Sequence, residues 1–219
     1  MTRIEILAVA KPILFNTEMV RAILEGRKTV TRRAIKDKDI INNWDREADG
    51  TPIAYIDQTT GNSYPPTQPC PHQPDAILYV RETWCERMGD QSKRGKYIYK
   101  AHAEPQDEIH QWALDLNTWR PSIHMPKEAA RLFLRVTGVW VERLQDISPE
   151  DVEREGINWV KNPLLRYDLS TMGSEGKRRF APLWDSTIKP ADLPLYGWNA
   201  NPWVWVIDFE RLKEDGDSG

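Results

Sequence analysis

The sequence predicts an α+β fold, mainly β, in which short strands form a small barrel with short helices over its ends. Two patterns carry this. Strand signals outnumber helical ones, and they do not alternate with helices as a doubly wound parallel sheet demands. A third observation sets the class: with 40% hydrophobic and 29% charged residues over 219 positions, the chain holds enough apolar material for one large domain, and collagen-like, coiled-coil and wholly disordered classes do not fit.

The elements follow in order. Met1 to Phe15 lacks the basic, apolar and small-residue succession of a secretory leader, and no apolar run approaches the ~20 residues that cross a membrane. Two cysteines, Cys70 and Cys85, are too few for a disulfide framework. The expectation is a cytoplasmic protein with no membrane partner. Thr17 is placed to cap a helix with Glu18 in its first turn, Met19, Val20, Ile23 and Leu24 form its apolar stripe, and Gly26 stops it. Asn42 to Pro74, rich in Asp, Asn, Gly, Thr and Pro, reads as a long irregular excursion.

Strand signals follow at Ile77 to Val80, Tyr97 to Tyr99 and Leu132 to Val141, with a bulge expected at Gly138. Ser148-Pro149-Glu150-Asp151 starts a short helix, with Ser as the cap, Pro at the first helical position and Asp returning the capping bond; Gly156 ends it. Lys177 to Phe180 reads as loop. Val204 to Ile207 is apolar on both faces and predicts a strand covered on two sides. The expected organisation is one domain over residues 1–212, with insertions near 37–74 and 158–198 and a frayed charged tail at 213–219.

Thirty basic against thirty-three acidic side chains leave a net charge of -3, so binding to a polyanion would need local patches. The densest is Arg27-Lys28-Thr29-Val30-Thr31-Arg32-Arg33, which combines cations with hydroxyls. As a solvated basic turn it is ordinary. As a site it needs a turn or bulge between Lys28 and Thr31, because a regular strand would aim them to opposite sides. Glu155 is the second candidate, since it lies three residues after the inward-facing Val152, where a carboxylate is unusual, and the negative end of the helix dipole makes it more so. The bland alternative is a glutamate on a Glu-rich surface helix.

Cys70, His72 and Cys85 lack the paired spacing of a zinc site, and no metal or other cofactor is expected. Lys93 to Lys100 interleaves cations with aromatic rings, and the chain holds ten tryptophans, most expected in the core and some available for stacking.

Pro12 to Phe15, Met19 to Arg33, and Val80-Arg81-Glu82-Thr83-Trp84 resemble the ASCH domain family of phage and prophage proteins. Trp119 to Pro126, Leu144 to Gly156, and Ala200 to Ile207 resemble the same members, so the likeness spans nearly the whole chain. It departs at Pro74-Asp75-Ala76, where the family usually carries Gly-Asp ahead of the strand. The resemblance implies a PUA-like pseudo-barrel with short helices at its ends and long loop insertions. It also implies the Lys, Thr and Glu constellation of the small N4-acetylcytidine amidohydrolases, here Lys28, Thr31 and Glu155. Thr31 would then be the nucleophile, Lys28 its activating base and Glu155 a positioning or proton-transfer group. In a variant of this scheme Glu155 activates water and Lys28 holds the oxyanion. Arg27, Arg32, Arg81 and Trp84 are the expected substrate-binding residues. The implied partner is a modified nucleoside or nucleobase; the competing expectation is a non-catalytic RNA-binding or ribonuclease module.

Overall fold

The computed structural model describes residues 2–86, 96–102, 119–157 and 169–212. Its strands are β1 (Lys11–Leu14), β2 (Val30–Ala34), β3 (Trp44–Arg46), β4 (Pro52–Ile56), β5 (Ser63–Tyr64), β6 (Ile77–Arg81), β7 (Trp84–Glu86), β8 (Tyr97–Tyr99), β9 (Phe133–Arg143) and β10 (Trp203–Leu212). The helices are α1 (Arg3–Val9), α2 (Thr17–Leu24), α3 (Lys38–Asn42), α4 (Pro149–Arg154), α5 (Leu169–Ser186) and α6 (Leu193–Tyr196). The protein is therefore α+β with mostly open sheet, and no closed barrel forms among the described residues. Nor is any described helix long and apolar enough to cross a membrane.

The chain divides into two compact units, each drawn from separated stretches of sequence. The first comprises Met1–Gly26, Ala76–Arg135 and Glu210–Gly219. In it β1 runs parallel to β6, and β6 pairs antiparallel with the start of β9 through Ile77↔Arg135 and Tyr79↔Phe133. Its core gathers Ile6, Tyr79, Trp84, Met125 and Phe133. Helix α1, which the sequence reading lacked, is held by a capping box: Thr2 accepts from the Glu5 amide, and Glu5 accepts from the Thr2 amide at 2.8 Å. Helix α2 and its stop at Gly26 (φ +74°) lie where the apolar stripe puts them, but Asn16, not Thr17, is the cap, accepting from Met19 N at 2.8 Å.

The second unit comprises Arg27–Asp75 and Val136–Phe209. Here β2 pairs antiparallel with β10, from Val204↔Ala34 to Asp208↔Val30. Val30, Val204 and Val206 pack under Val152 of α4 and under Phe180 and Trp184 of α5, all essentially sealed from water. Each such large apolar side chain contributes about 1.5–3 kcal/mol. The strand from Val204 to Ile207 is covered on both faces as its composition requires.

Two local expectations are corrected. Residues 42–74 are not an irregular excursion, because β3, β4 and β5 form a small antiparallel sheet. Their strands are too short to show an alternation, and the Asp57 side chain, which accepts from the Thr59 and Thr60 amides, makes the turn between β4 and β5. Lys177 to Phe180 is not loop but lies inside α5, where Phe180 and Trp184 repeat at helical spacing; Gly176 and Pro182 hide the helix. Gly176 is small because it packs against Val152. Strand β9 includes Gly138. Asp75, at the departure from the family pattern, takes the left-handed conformation (φ +66°) that glycine would adopt without strain, and its amide donates to Val136 O at 2.9 Å. The expected tail at 213–219, and the stretches 87–95 and 158–168, lie outside the described residues.

Candidate functional site

The site is assembled inside the second unit where the start of β2 meets the end of α4. Ser148 caps α4 by accepting from Asp151 N at 3.0 Å, and Pro149 occupies its first position. The Asp151 carboxylate does not return the capping bond; it bonds Arg32 and Arg154 instead. After six residues the helix ends at Glu155, and Gly156 turns the chain with φ +93°. That left-handed turn delivers Glu155 against the strand, with the Thr29 amide donating to Arg154 O at 2.9 Å.

Lys28 precedes the regular part of β2 and meets Glu155 through an isolated antiparallel bridge. It therefore lies outside the regular alternation of β2. Its side chain is enclosed (2% exposed) and its Nζ donates to three oxygens: Glu155 Oε2 at 2.5 Å, Val30 O at 2.9 Å and Glu155 O at 3.1 Å. Three acceptors match the three protons of an ammonium. Burial pulls the Lys28 pKa below its ordinary 10.5, and the Glu155 carboxylate resists that fall.

Glu155, 4% exposed, is shared between two cations, since Arg32 Nη1 donates to its Oε1 at 3.2 Å. The Arg32 guanidinium is fully enclosed and bonds two further carboxylates, Glu142 at 2.7 Å through Nε and Asp151 at 2.8 Å through Nη2. Its carboxylate neighbours keep it charged, raising its pKa against the desolvation that burial imposes. Arg32 is thus the place where α4, β9 and β2 are tied together. Arg33, the next cation, has its pKa lowered by burial, with Glu155 opposing.

Thr31 is buried, 3% exposed, and pairs with Ile207 of β10. Alternation puts it on the face opposite Val30 and Arg32. Its hydroxyl makes no hydrogen bond among the described residues. Lys28 Nζ reaches the carbonyl of the very peptide that joins Val30 to Thr31. Arg27 donates through Nη1 to Gly156 O, bracing the turn after Glu155.

The structure therefore brings together Lys28, Arg32, Glu155 and, at the Gly156 turn, Arg27, while Thr31 is joined to them through the Val30–Thr31 peptide and faces the other side of β2. Arg81 and Trp84 belong to the first unit. Arg81 donates through Nη2 to Ile123 O, and Trp84 is a core side chain, 2% exposed, edge-on to Tyr97. Glu142 and Asp151 are the carboxylates that sequence reasoning missed. The available signal was Arg32 itself, since an arginine alternating with Val30 and Ala34 on the core face requires carboxylate partners from the elements packed over it.

No group of three or more His, Cys, Asp or Glu side chains with metal-binding geometry occurs among the described residues, and Cys70 and Cys85 are not joined in a disulfide. Of the Lys93 to Lys100 stretch only 96–100 is described; there Lys96 Nζ sits over the Tyr97 ring and Tyr97–Tyr99 pairs with β7. Comparison with family models, with curated proteins and with solved structures finds no match to this chain.

Proposed function

We propose that the protein is an amidohydrolase that removes the acyl group from N4-acylated cytidine or cytosine, built on a PUA-like frame of the ASCH type. The observation that carries this reading is the enclosed Lys28 ammonium, held between the Glu155 carboxylate and the carbonyl of the Val30–Thr31 peptide. Amide hydrolysis needs a nucleophile, a proton acceptor and a donor for the tetrahedral oxyanion. Thr31, Lys28 and Glu155 are the residue types that supply them.

In the first route the Thr31 hydroxyl adds to the acyl carbon. Its proton passes to Lys28 as the amine, which burial brings within reach by lowering the lysine pKa. The tetrahedral adduct collapses as the carbon–N4 bond breaks and N4 takes a proton, leaving an acyl ester on Thr31 that water cleaves to the free acid. In the second route Glu155 takes the proton of a water that adds to the carbonyl, Lys28 donates to the oxyanion, and the proton on Glu155 goes to the departing N4. Three acceptors hold Lys28 as the ammonium, the state the second route uses, and one of its N–H groups turns to the oxyanion as Glu155 takes up the water's proton and its carboxylate weakens as an acceptor.

The routes are separated by quenching the enzyme in acid during turnover of N4-acetylcytidine and searching the peptide containing Thr31 by mass spectrometry. An acetylated Thr31 peptide supports the first route. Turnover that survives Thr31→Val and is abolished by Glu155→Gln supports the second, and turnover unaffected by either substitution removes the site from the chemistry.

A further inference from the structure

A different part of the second unit carries a cavity of about 370 Å³ that the hydrolase reading does not use. It is lined by Lys36, Lys38, Arg46 and Arg143 together with Trp203 and apolar residues such as Ile41. The two guanidiniums are seated on the same indole: Arg143 lies 4.3 Å from the Trp203 ring centre and Arg46 lies 5.4 Å from it.

Their hydrogen bonds go to backbone carbonyls. Arg46 donates to Gly50 O at 3.1 Å and Ile41 O at 2.8 Å, and Arg143 donates to Asn201 O at 3.1 Å. A neutral carbonyl fixes a guanidinium without cancelling its charge. Among the described residues the one carboxylate paired with any of the four cations is Asp192, 3.5 Å from the Lys36 ammonium in an exposed contact. Burial and the neighbouring Arg143 charge both lower the Arg46 pKa, the response of like charges held close together. Of five N–H groups on each guanidinium, Arg46 leaves three and Arg143 four without acceptors among the described residues.

We propose that this cavity is a second ligand site, for a small phosphomonoester whose phosphate sits between Arg46, Arg143 and the two lysines and whose organic part lies on the apolar wall. Several converging donors exceed what the two oxygens of a carboxylate engage, whereas a phosphomonoester offers three terminal oxygens and close to two charges at neutral pH. Arginine forks suit that geometry, and the volume accommodates a ligand of mononucleotide size.

The test is isothermal titration of the full chain with phenyl phosphate, inorganic phosphate, benzoate and a single-stranded RNA oligomer lacking terminal phosphates. Saturable binding of phenyl phosphate at one site, tighter than that of inorganic phosphate or benzoate, is expected. Arg143→Gln and Lys38→Gln, both substitutions of exposed side chains, should each weaken it about tenfold, and Thr31→Val should leave it unchanged, which separates this site from the hydrolase reading. The proposal is overturned if phenyl phosphate shows no saturable binding, if Arg143→Gln binds as well as the parent, or if inorganic phosphate binds as tightly as its ester. Displacement of phenyl phosphate by the RNA oligomer at lower concentration would overturn it in favour of a strand-binding groove.

Discussion

Lys28 Nζ donates to Glu155 twice, to the carboxylate at 2.5 Å and to the main-chain carbonyl at 3.1 Å, so a single ammonium fixes both the side chain and the backbone of the residue that ends α4. With the bond to Val30 O, the same nitrogen spans the entry to β2 and the exit from α4. The position of the carboxylate is thereby set by structure that also holds the fold.

That arrangement makes the two members of the pair unequal. Without Lys28, Glu155 keeps Arg32 as a counter-charge; without Glu155, Lys28 loses the carboxylate that opposes the fall of its pKa. Glu155→Gln should therefore destabilise by about 3–5 kcal/mol, the cost of an uncompensated buried charge, and Lys28→Met by less. Urea unfolding of both variants and of the double variant measures this. Equal losses would show that Arg32 does not serve as the second partner.

The pH dependence follows from the lowered Lys28 pKa. The unfolded chain holds the lysine proton up to about 10.5, while the folded state releases it at lower pH. In the window between the two values the unfolded state binds more protons, so stability rises with pH there. Relative to Lys28→Met, the parent protein should gain stability from neutral pH towards pH 10. Parallel urea titrations at several pH values check it, and a relative loss would contradict the burial argument.

The first unit contains a comparable pair with the opposite sign. Glu82, 1% exposed, accepts from Arg131 Nε and Nη2 at 2.9 Å each, and burial raises its pKa above the ordinary 4.5 against the pull of Arg131. A folded value above the unfolded one means stability is greatest below pH 4.5 and falls as pH rises through the folded value. Arg131→Met should cost about 3–5 kcal/mol at neutral pH and recover part of it on acidification, where Glu82 takes up a proton. Thermal or urea unfolding at pH 7 and pH 5 provides the comparison; a variant that loses further stability at pH 5 would refute it.

Gly156 turns the chain after Glu155 at φ +93°, where a Cβ is strained. Gly156→Ala should cost about 1–3 kcal/mol and displace Glu155 from Lys28. Ser148→Ala should cost about 1 kcal/mol through the lost cap. If Glu155 is placed by its helix, hydrolysis falls in Gly156→Ala beyond what the unfolded fraction explains, whereas Ser148→Ala retains activity in proportion to folded protein.

How much of this was legible in the sequence depended on whether a residue's neighbours in the chain were also its neighbours in space. The stripe of α2, the Ser148-Pro149 start of α4 and the two-sided cover of β10 are local patterns, and they were readable. The sheet at β3 to β5 was not, because its short strands alternate too briefly to separate them from loop. Helix α5 was hidden by Gly176 and Pro182, whose meaning comes from the helix packed against them. At the site, the inward aim of Glu155 followed from its spacing to Val152. The commitment of Arg32 to Glu142, Asp151 and Glu155 did not, because those carboxylates come from residues more than a hundred positions away.

The most direct test of the account is release of cytidine from N4-acetylcytidine by the purified chain, with Lys28→Met, Glu155→Gln and Thr31→Val measured beside it and the folded fraction of each determined by circular dichroism. The account predicts release by the parent protein and a loss of at least about a hundredfold in folded Glu155→Gln, the scale of a general acid–base group. A folded parent that releases no cytidine, or a Glu155→Gln variant that releases it at the parent rate, would contradict the hydrolase reading.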